Sequence, residues 1–134
     1  MNLRKNSPAA LRFTERRQRE DEAPRLRDQV PDLIRLELRV EDSAGVTGTS
    51  PMHIRRIVVD RAPALFLVSC QDPRCVDGEH DVTTAIMRSL RARETSFHGD
   101  DECRGSVGTG LCSRVLHFTA VAEYRPAAAS QSGR

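Results

Sequence analysis

Within the stretch LIRLELRVED, residues 33–42, apolar and charged side chains alternate from Ile34 to Glu41. A period of two with one apolar face is typical of a half-buried strand in an antiparallel sheet. The apolar face carries Ile34, Leu36, Leu38 and Val40, and the charged face carries Arg35, Glu37, Arg39 and Glu41. This stretch therefore predicts that the fold is built around a sheet.

Four further segments are predicted to be strands of this sheet, and a loop separates the first of them from residues 33–42. SAGVTGTSP (43–51) indicates a loop, and MHIRRIVVD (52–60) a second strand with a bulge at Arg55 and Arg56. ALFLVSC (64–70) is apolar on both faces and predicts a third, central strand. TSFHG (95–99) and RVLHFTAVAEY (114–124) predict the last two strands. The inner face of the final strand would carry Leu116, Phe118, Ala120, Ala122 and Tyr124.

One segment has helical periodicity. DVTTAIMRSLRARE (81–94) has Asp81 as its predicted N-cap and three arginines in its last turns, where cations favour the helix dipole. Its predicted inward stripe is Val82, Ala85, Ile86, Ser89 and Leu90. The order β-β-β-α-β-β predicts an α+β fold, with one helix covering a mainly antiparallel five-stranded sheet.

Length and composition bound the organisation of the chain. With 134 residues the chain can build one core but not two. Residues 1–28 are polar and charge-mixed, which predicts a disordered or loosely helical arm. Residues 29–125 are predicted to form the domain, and residues 126–134 a flexible tail.

The composition also narrows the class of protein. The net charge is only +2, and there are one Tyr and no Trp, so base-stacking side chains are scarce. No apolar run is long enough for a signal peptide or a membrane span, so we expect a soluble, cytoplasmic protein. Thiols stay reduced in that compartment, which favours metal ligands or catalytic groups over disulfides for the four cysteines.

The cysteines form two pairs, with spacing C-x4-C and C-x8-C separated by 27 residues. A helix that runs back along the sheet would make the fourth strand parallel to the third, so both pairs should meet at one end of the sheet. Four thiolates on two loops are what a closed, tetrahedral zinc site requires. The predicted ligands of a structural Zn²⁺ are therefore Cys70, Cys75, Cys103 and Cys112, with two disulfides or free or catalytic thiols as alternatives.

Arginines lie next to three of these cysteines. Arg74, Arg104 and Arg114 stand within two residues of a predicted ligand, where they can neutralise the thiolates or donate hydrogen bonds to them. Chance placement in an Arg-rich chain is the alternative.

The segment from Cys70 to Cys112 resembles, at the level of a class, the zinc-ribbon and zinc-knuckle proteins. In that class, cysteine pairs lie on loops at one end of a small sheet, and this resemblance implies a structural four-cysteine zinc site. The chain departs from the usual ribbon because a whole helix separates the two pairs.

The motif CQDPR is similar to the first metal-ligand motif of β-class carbonic anhydrases. This resemblance implies Cys70 as a zinc ligand and an Asp72–Arg74 pair that controls an open coordination position. The second half of the family's motif is H-x2-C, for which the nearest candidate here is His98 with Cys103, with four residues between them.

These observations predict a non-catalytic, zinc-binding protein-binding module in a larger assembly. The alternatives are a carbonic-anhydrase-like zinc enzyme and a nucleic-acid-binding zinc protein. In the nucleic-acid alternative, the nucleic acid would be bound by the arginines of the arm and by three near the helix end, Arg88, Arg91 and Arg93.

Overall fold

The computed structural model describes residues 8–43 and 52–126. The predicted loop beyond Ser43 and the predicted tail beyond Pro126 lie outside the described residues. None of the helices in these two ranges is both long enough and apolar enough to cross a bilayer. The helices are α1 Pro8–Glu22, α2 Leu26–Gln29 and α3 Thr83–Arg91. The strands are β1 Leu33–Ser43, β2 His53–Ile57, β3 Leu67–Ser69, β4 Glu79–Asp81, β5 Ser96–Glu102, β6 Ser106–Val107, β7 Gly110–Leu111 and β8 Val115–Tyr124.

The main sheet has four strands in the order β2-β1-β8-β5, and every neighbouring pair is antiparallel. Its two long strands, β1 and β8, pair from Leu33 opposite Tyr124 to Ser43 opposite Val115. Two small two-stranded sheets, β3-β4 and β6-β7, lie outside it. The α+β class and the mainly antiparallel sheet are therefore confirmed, whereas the predicted five-stranded order is wrong.

The core lies between the inner face of this sheet and helix α3. The alternation predicted for β1 and β8 is confirmed, since apolar side chains at every second position are buried while their neighbours face outward. The buried side chains of the two strands and the helix are Leu36, Leu38, Val40, Leu116, Phe118, Ala120, Ala122, Ile86, Met87 and Leu90.

A register shift in β1 changes one predicted core position. The pairing with β8 is irregular between Leu33 and Arg35, so Leu33 turns into the core while Ile34 is 45% exposed. The bulge predicted in the second strand is wrong, because β2 pairs continuously with β1 through Arg55 and Arg56.

The predicted third strand does not enter the main sheet. Only Leu67–Ser69 of the ALFLVSC stretch is extended, and it pairs with β4 alone. Phe66 and Val68 are nevertheless buried in the same core as the sheet. An apolar run can thus be buried on both faces by packing in the core, without sheet neighbours on both sides.

Helix α3 is shorter than predicted. It begins at Thr83, whose backbone N–H donates to the Asp81 carboxylate at 3.0 Å, so Asp81 caps the helix from just outside it. It ends at Arg91, and Arg93 has a φ of +59°, the left-handed conformation that commonly stops a helix. Ala85 of the predicted inward stripe is exposed, whereas Met87, which was not predicted to face inward, is buried.

The segment predicted as an arm contains helices α1 and α2. Arg16 and Arg19 of α1 each donate to Glu79 of β4, at 2.9 and 2.8 Å. Leu26 of α2 is fully buried in the core. Apolar contacts with the core therefore begin before residue 28, and the division of the chain at that residue stays a prediction.

Candidate metal centre

The first cysteine pair lies on the loop between β3 and β4. Ser69 pairs with Glu79, so the chain leaves and re-enters this small sheet at neighbouring points. Within the loop the Cys70 N–H donates to the Gly78 carbonyl at 3.2 Å, and the Cys75 N–H donates to the Asp72 carbonyl at 3.0 Å. Both sulfurs of this pair are therefore carried by one tightly hydrogen-bonded loop.

The second pair lies on the connection between β5 and β8. The Cys103 N–H donates to the Arg114 carbonyl at 2.9 Å, which continues the β5-β8 ladder by one bond. The small hairpin β6-β7 fills the space between the two cysteines, and the Cys112 N–H donates to the Gly105 carbonyl at 2.9 Å. A short hairpin therefore connects the two cysteines of this pair.

The two loops are joined by backbone hydrogen bonds. Val76 and Ser106 exchange N–H and carbonyl groups at 2.8 and 3.1 Å. The prediction that both cysteine pairs meet is confirmed, although the predicted third strand lies outside the main sheet and is not a parallel neighbour of the fourth, as the prediction assumed.

The four sulfur atoms form one compact cluster. All lie within 4.8 Å of one another, with 3.8 Å between Cys70 and Cys112 and 3.7 Å between Cys75 and Cys103. The cysteines are free, and these distances exclude S–S bonds in the structure. A tetrahedron with metal–sulfur bonds of about 2.3 Å has edges of about 3.8 Å, so the cluster has the dimensions that a metal ion requires.

Backbone N–H groups point at three of the sulfurs. The Gly105 N–H donates to Cys103 Sγ at 3.4 Å. The N–H groups of Asp72 and Arg114 likewise donate to the sulfurs of Cys70 and Cys112. In each case the donor is two residues beyond the cysteine, and such donors stabilise metal-bound thiolates.

Two glycines leave room for the sulfurs. A Cβ at Gly78 would lie 2.3 Å from Cys75 Sγ and 2.7 Å from Cys70 Cβ. A Cβ at Gly105 would lie 2.5 Å from Cys75 Sγ and 2.7 Å from the Val76 carbonyl oxygen. Only glycine fits at these two positions without a shift of the cluster.

The thiols do not ionise equally. Burial raises the pKa of Cys70 far above its usual range and that of Cys75 to about 11. At Cys112 burial also opposes ionisation, but the Arg114 N–H and the neighbouring thiols outweigh it, and its pKa is lowered. Four thiolates at these distances therefore need a cation at neutral pH.

The arginines next to the cysteines contact carboxylates. Arg74 donates to Asp72, Arg104 Nη1 lies 3.4 Å from Asp101, and Arg114 Nη1 lies 3.7 Å from Asp42. All three thus stand beside the cluster as the sequence places them. Their predicted role toward the thiolates stays a prediction.

A buried polar cluster that sequence reasoning missed lies beside the sulfurs. His80 is fully buried, Asp42 is 2% exposed, and an oxygen of Asp42, Cys70 Sγ and a ring nitrogen of His80 lie within 4.8 Å of one another. The alternation of β1 already pointed to Asp42, since it falls two residues beyond Val40 on the apolar face. Asp101 lies in β5, and its carboxylate contacts His80 Nδ1 at 3.1 Å.

The arginines at the end of α3 are partly engaged within the chain. Arg91 donates to Gln29 at 3.0 Å, and Arg93 pairs with Asp32 and lies over the Tyr124 ring. Arg88 is exposed.

The motif similar to that of carbonic anhydrases is only half reproduced. Asp72 and Arg74 do pair, and the Arg74 side chain and N–H hold the pKa of Asp72 below its usual range. His98, however, is exposed in β5 and does not belong to the sulfur cluster. The geometry therefore brings together four sulfurs instead of the implied Cys and His ligands.

Comparison of the chain with models of known protein families, with curated proteins and with solved structures finds no match to any of them. The class that the fold and the cluster define is thus an α+β domain with four converging cysteines that can hold a metal ion.

Proposed function

We propose that Cys70, Cys75, Cys103 and Cys112 bind one structural Zn²⁺. The observation that carries this proposal is the spacing of the sulfurs, 3.7 and 3.8 Å within the two closest pairs, which matches the edge of a tetrathiolate site. Zinc is the metal for which a closed shell of four cysteines is a common structural arrangement. Because the shell is closed, this ion has no position for a substrate, and the proposed role is non-catalytic.

The ion would hold together a part of the molecule that has little apolar packing. Val76 and Leu111, on the two cysteine loops, are 53% and 84% exposed. The buried residues of these loops are the cysteines Cys103 and Cys112 and Gly105. Metal binding would therefore supply stabilisation that hydrophobic burial does not provide here.

The variant Cys103→Ser tests this role. We expect it to lose the zinc of the four-cysteine site and to melt at a lower temperature than the wild type, because metal-binding energy contributes to folding. Metal content and thermal unfolding of the reduced protein are measured together. Ser113→Ala, an exposed position beside Cys112, is the control and should change neither. Full metal content and unchanged melting in Cys103→Ser would show that the ligand set is wrong.

We further propose that the domain acts in the cytoplasm as a binding module for another protein. Four reduced thiols suit a reducing compartment. On the outer face of the sheet, Ile54 and Val121 are 49% and 56% exposed and offer apolar contact area.

Nucleic acid is the less favoured partner. Glu37 pairs with both Arg39 and Arg56, and Arg93 pairs with Asp32, so these guanidinium groups are already engaged. Titration with single- and double-stranded polynucleotides at low salt should show no binding. Binding whose affinity falls steeply with added salt would favour the nucleic-acid alternative.

A further inference from the structure

The two ring nitrogens of His80 differ: Nδ1 contacts a carboxylate, and Nε2 has no hydrogen-bond partner among the described residues. Asp101 Oδ2 lies 3.1 Å from Nδ1, so the neutral ring donates its Nδ1–H to this carboxylate. Nε2 then carries a lone pair. It is buried and has no hydrogen-bond partner among the described residues, and Asp42 Oδ2 lies 3.7 Å away, beyond hydrogen-bonding range.

A ring-nitrogen lone pair that faces a carboxylate oxygen is unfavourable unless a proton or a metal ion lies between the two. Asp42 Oδ2 accepts the Gln71 N–H at 3.0 Å, and its buried Oδ1, which has no hydrogen bond among the described residues, lies 3.7 Å from Arg114 Nη1. Metal-ligating histidines commonly donate their other N–H to a carboxylate, as His80 does to Asp101. Ligand atoms bonded to one ion at about 2.0–2.2 Å stand roughly 3.4 Å apart, close to the separation of Nε2 and Asp42 Oδ2.

We propose that Asp42, Cys70 and His80 form a second site for a divalent transition-metal ion such as Zn²⁺, which shares the Cys70 sulfur with the four-cysteine site. This inference rests on the proposed function, since Cys70 then bridges two ions. Mixed nitrogen, oxygen and sulfur ligands suit zinc and its neighbours in the transition series.

The charges of the region support a second cation. One divalent ion leaves four thiolates and the buried Asp42 carboxylate with a net negative charge. A second ion, together with the Arg114 guanidinium 3.7 Å from Asp42, brings this region close to neutrality. Three protein ligands leave one position of the second ion open to water or another small ligand, unlike the closed four-cysteine shell.

Titration of the reduced, metal-free chain with Co²⁺ tests the second site. We expect two equivalents to bind to the wild type, with thiolate-to-cobalt charge-transfer absorption. His80→Gln should bind one equivalent and keep that absorption. His98→Gln, which changes an exposed histidine of β5, is the matched control and should still bind two. If circular dichroism shows that His80→Gln does not fold, Asp42→Asn is used in its place. We expect Asp42→Asn to bind the second equivalent of Co²⁺ at least tenfold more weakly than the wild type does.

The outcomes separate this inference from the proposed function. One equivalent with charge-transfer absorption in the wild type would overturn the second site and leave the four-cysteine site standing. Two equivalents in His80→Gln would overturn the ligands assigned here. No thiolate-bound cobalt in the wild type would overturn the proposed function as well.

Discussion

A single methyl group is enough to disturb the sulfur cluster at two glycines. Because a Cβ at Gly78 or Gly105 would overlap Cys75 Sγ, alanine there must push the cysteine loops apart. Neither position has a positive φ, so the conflict is with the neighbouring atoms and not with the backbone conformation. The demand for glycine at these positions is therefore a property of the site itself.

We expect Gly78→Ala and Gly105→Ala each to lower the free energy of unfolding of the metal-loaded protein by about 1–3 kcal/mol. Both should also weaken metal binding, as measured by competition with a chelator. Gly110→Ala is the control, because the nearest atom to a Cβ there is the Val107 carbonyl oxygen at 4.0 Å. Equal effects of all three variants would show that the two glycines have no special relation to the sulfurs.

At the scale of the elements, alternation was the most informative signal in the sequence. It predicted β1 and β8 and, except at Ile34, the inner face of β1, because a half-buried strand must place its apolar side chains at every second position. Alternation did not reveal which strands are neighbours. The last strand lies between β1 and β5, a pairing set by contacts distant in sequence.

The ALFLVSC stretch shows where the periodicity failed. Residues buried on both faces are expected both in a central strand and in a short segment enclosed by the core, and only tertiary packing separates the two. The convergence of the four cysteines was predicted, but from a parallel arrangement of the third and fourth strands that the fold does not have. The buried contacts of His80 with Asp42 and Asp101 were not, because they join three separate elements.

The central strand pair makes a prediction about stability. Leu38 in β1 is fully buried opposite Ala120 of β8, so Leu38→Ala leaves a cavity and should cost about 2–5 kcal/mol in urea unfolding. Val121→Ala, on the exposed face of β8, should cost less than about 1 kcal/mol. Similar losses for the two variants would contradict the assignment of the inner and outer faces.

At the scale of the whole molecule, metal binding is linked to pH. The pKa values of Cys70 and Cys75 lie above neutrality, so a metal that binds all four thiolates must displace their protons. Affinity should therefore rise with pH and fall on acidification, by about tenfold per pH unit for each proton displaced.

Competition with a chromophoric chelator between about pH 6.5 and 8 measures this dependence, after correction for the chelator's own protonation. An affinity that does not change with pH would mean that the metal binds without displacing thiol protons. The four sulfurs could then not be its ligands.

Native mass spectrometry combined with thiol alkylation tests the central claim most directly. We predict that the reduced chain, purified with zinc, carries at least one zinc ion. All four cysteines should resist alkylation until a chelator removes the metal. A metal-free mass, with four thiols that react equally fast in the presence and absence of zinc, would contradict the claim that these cysteines bind a metal.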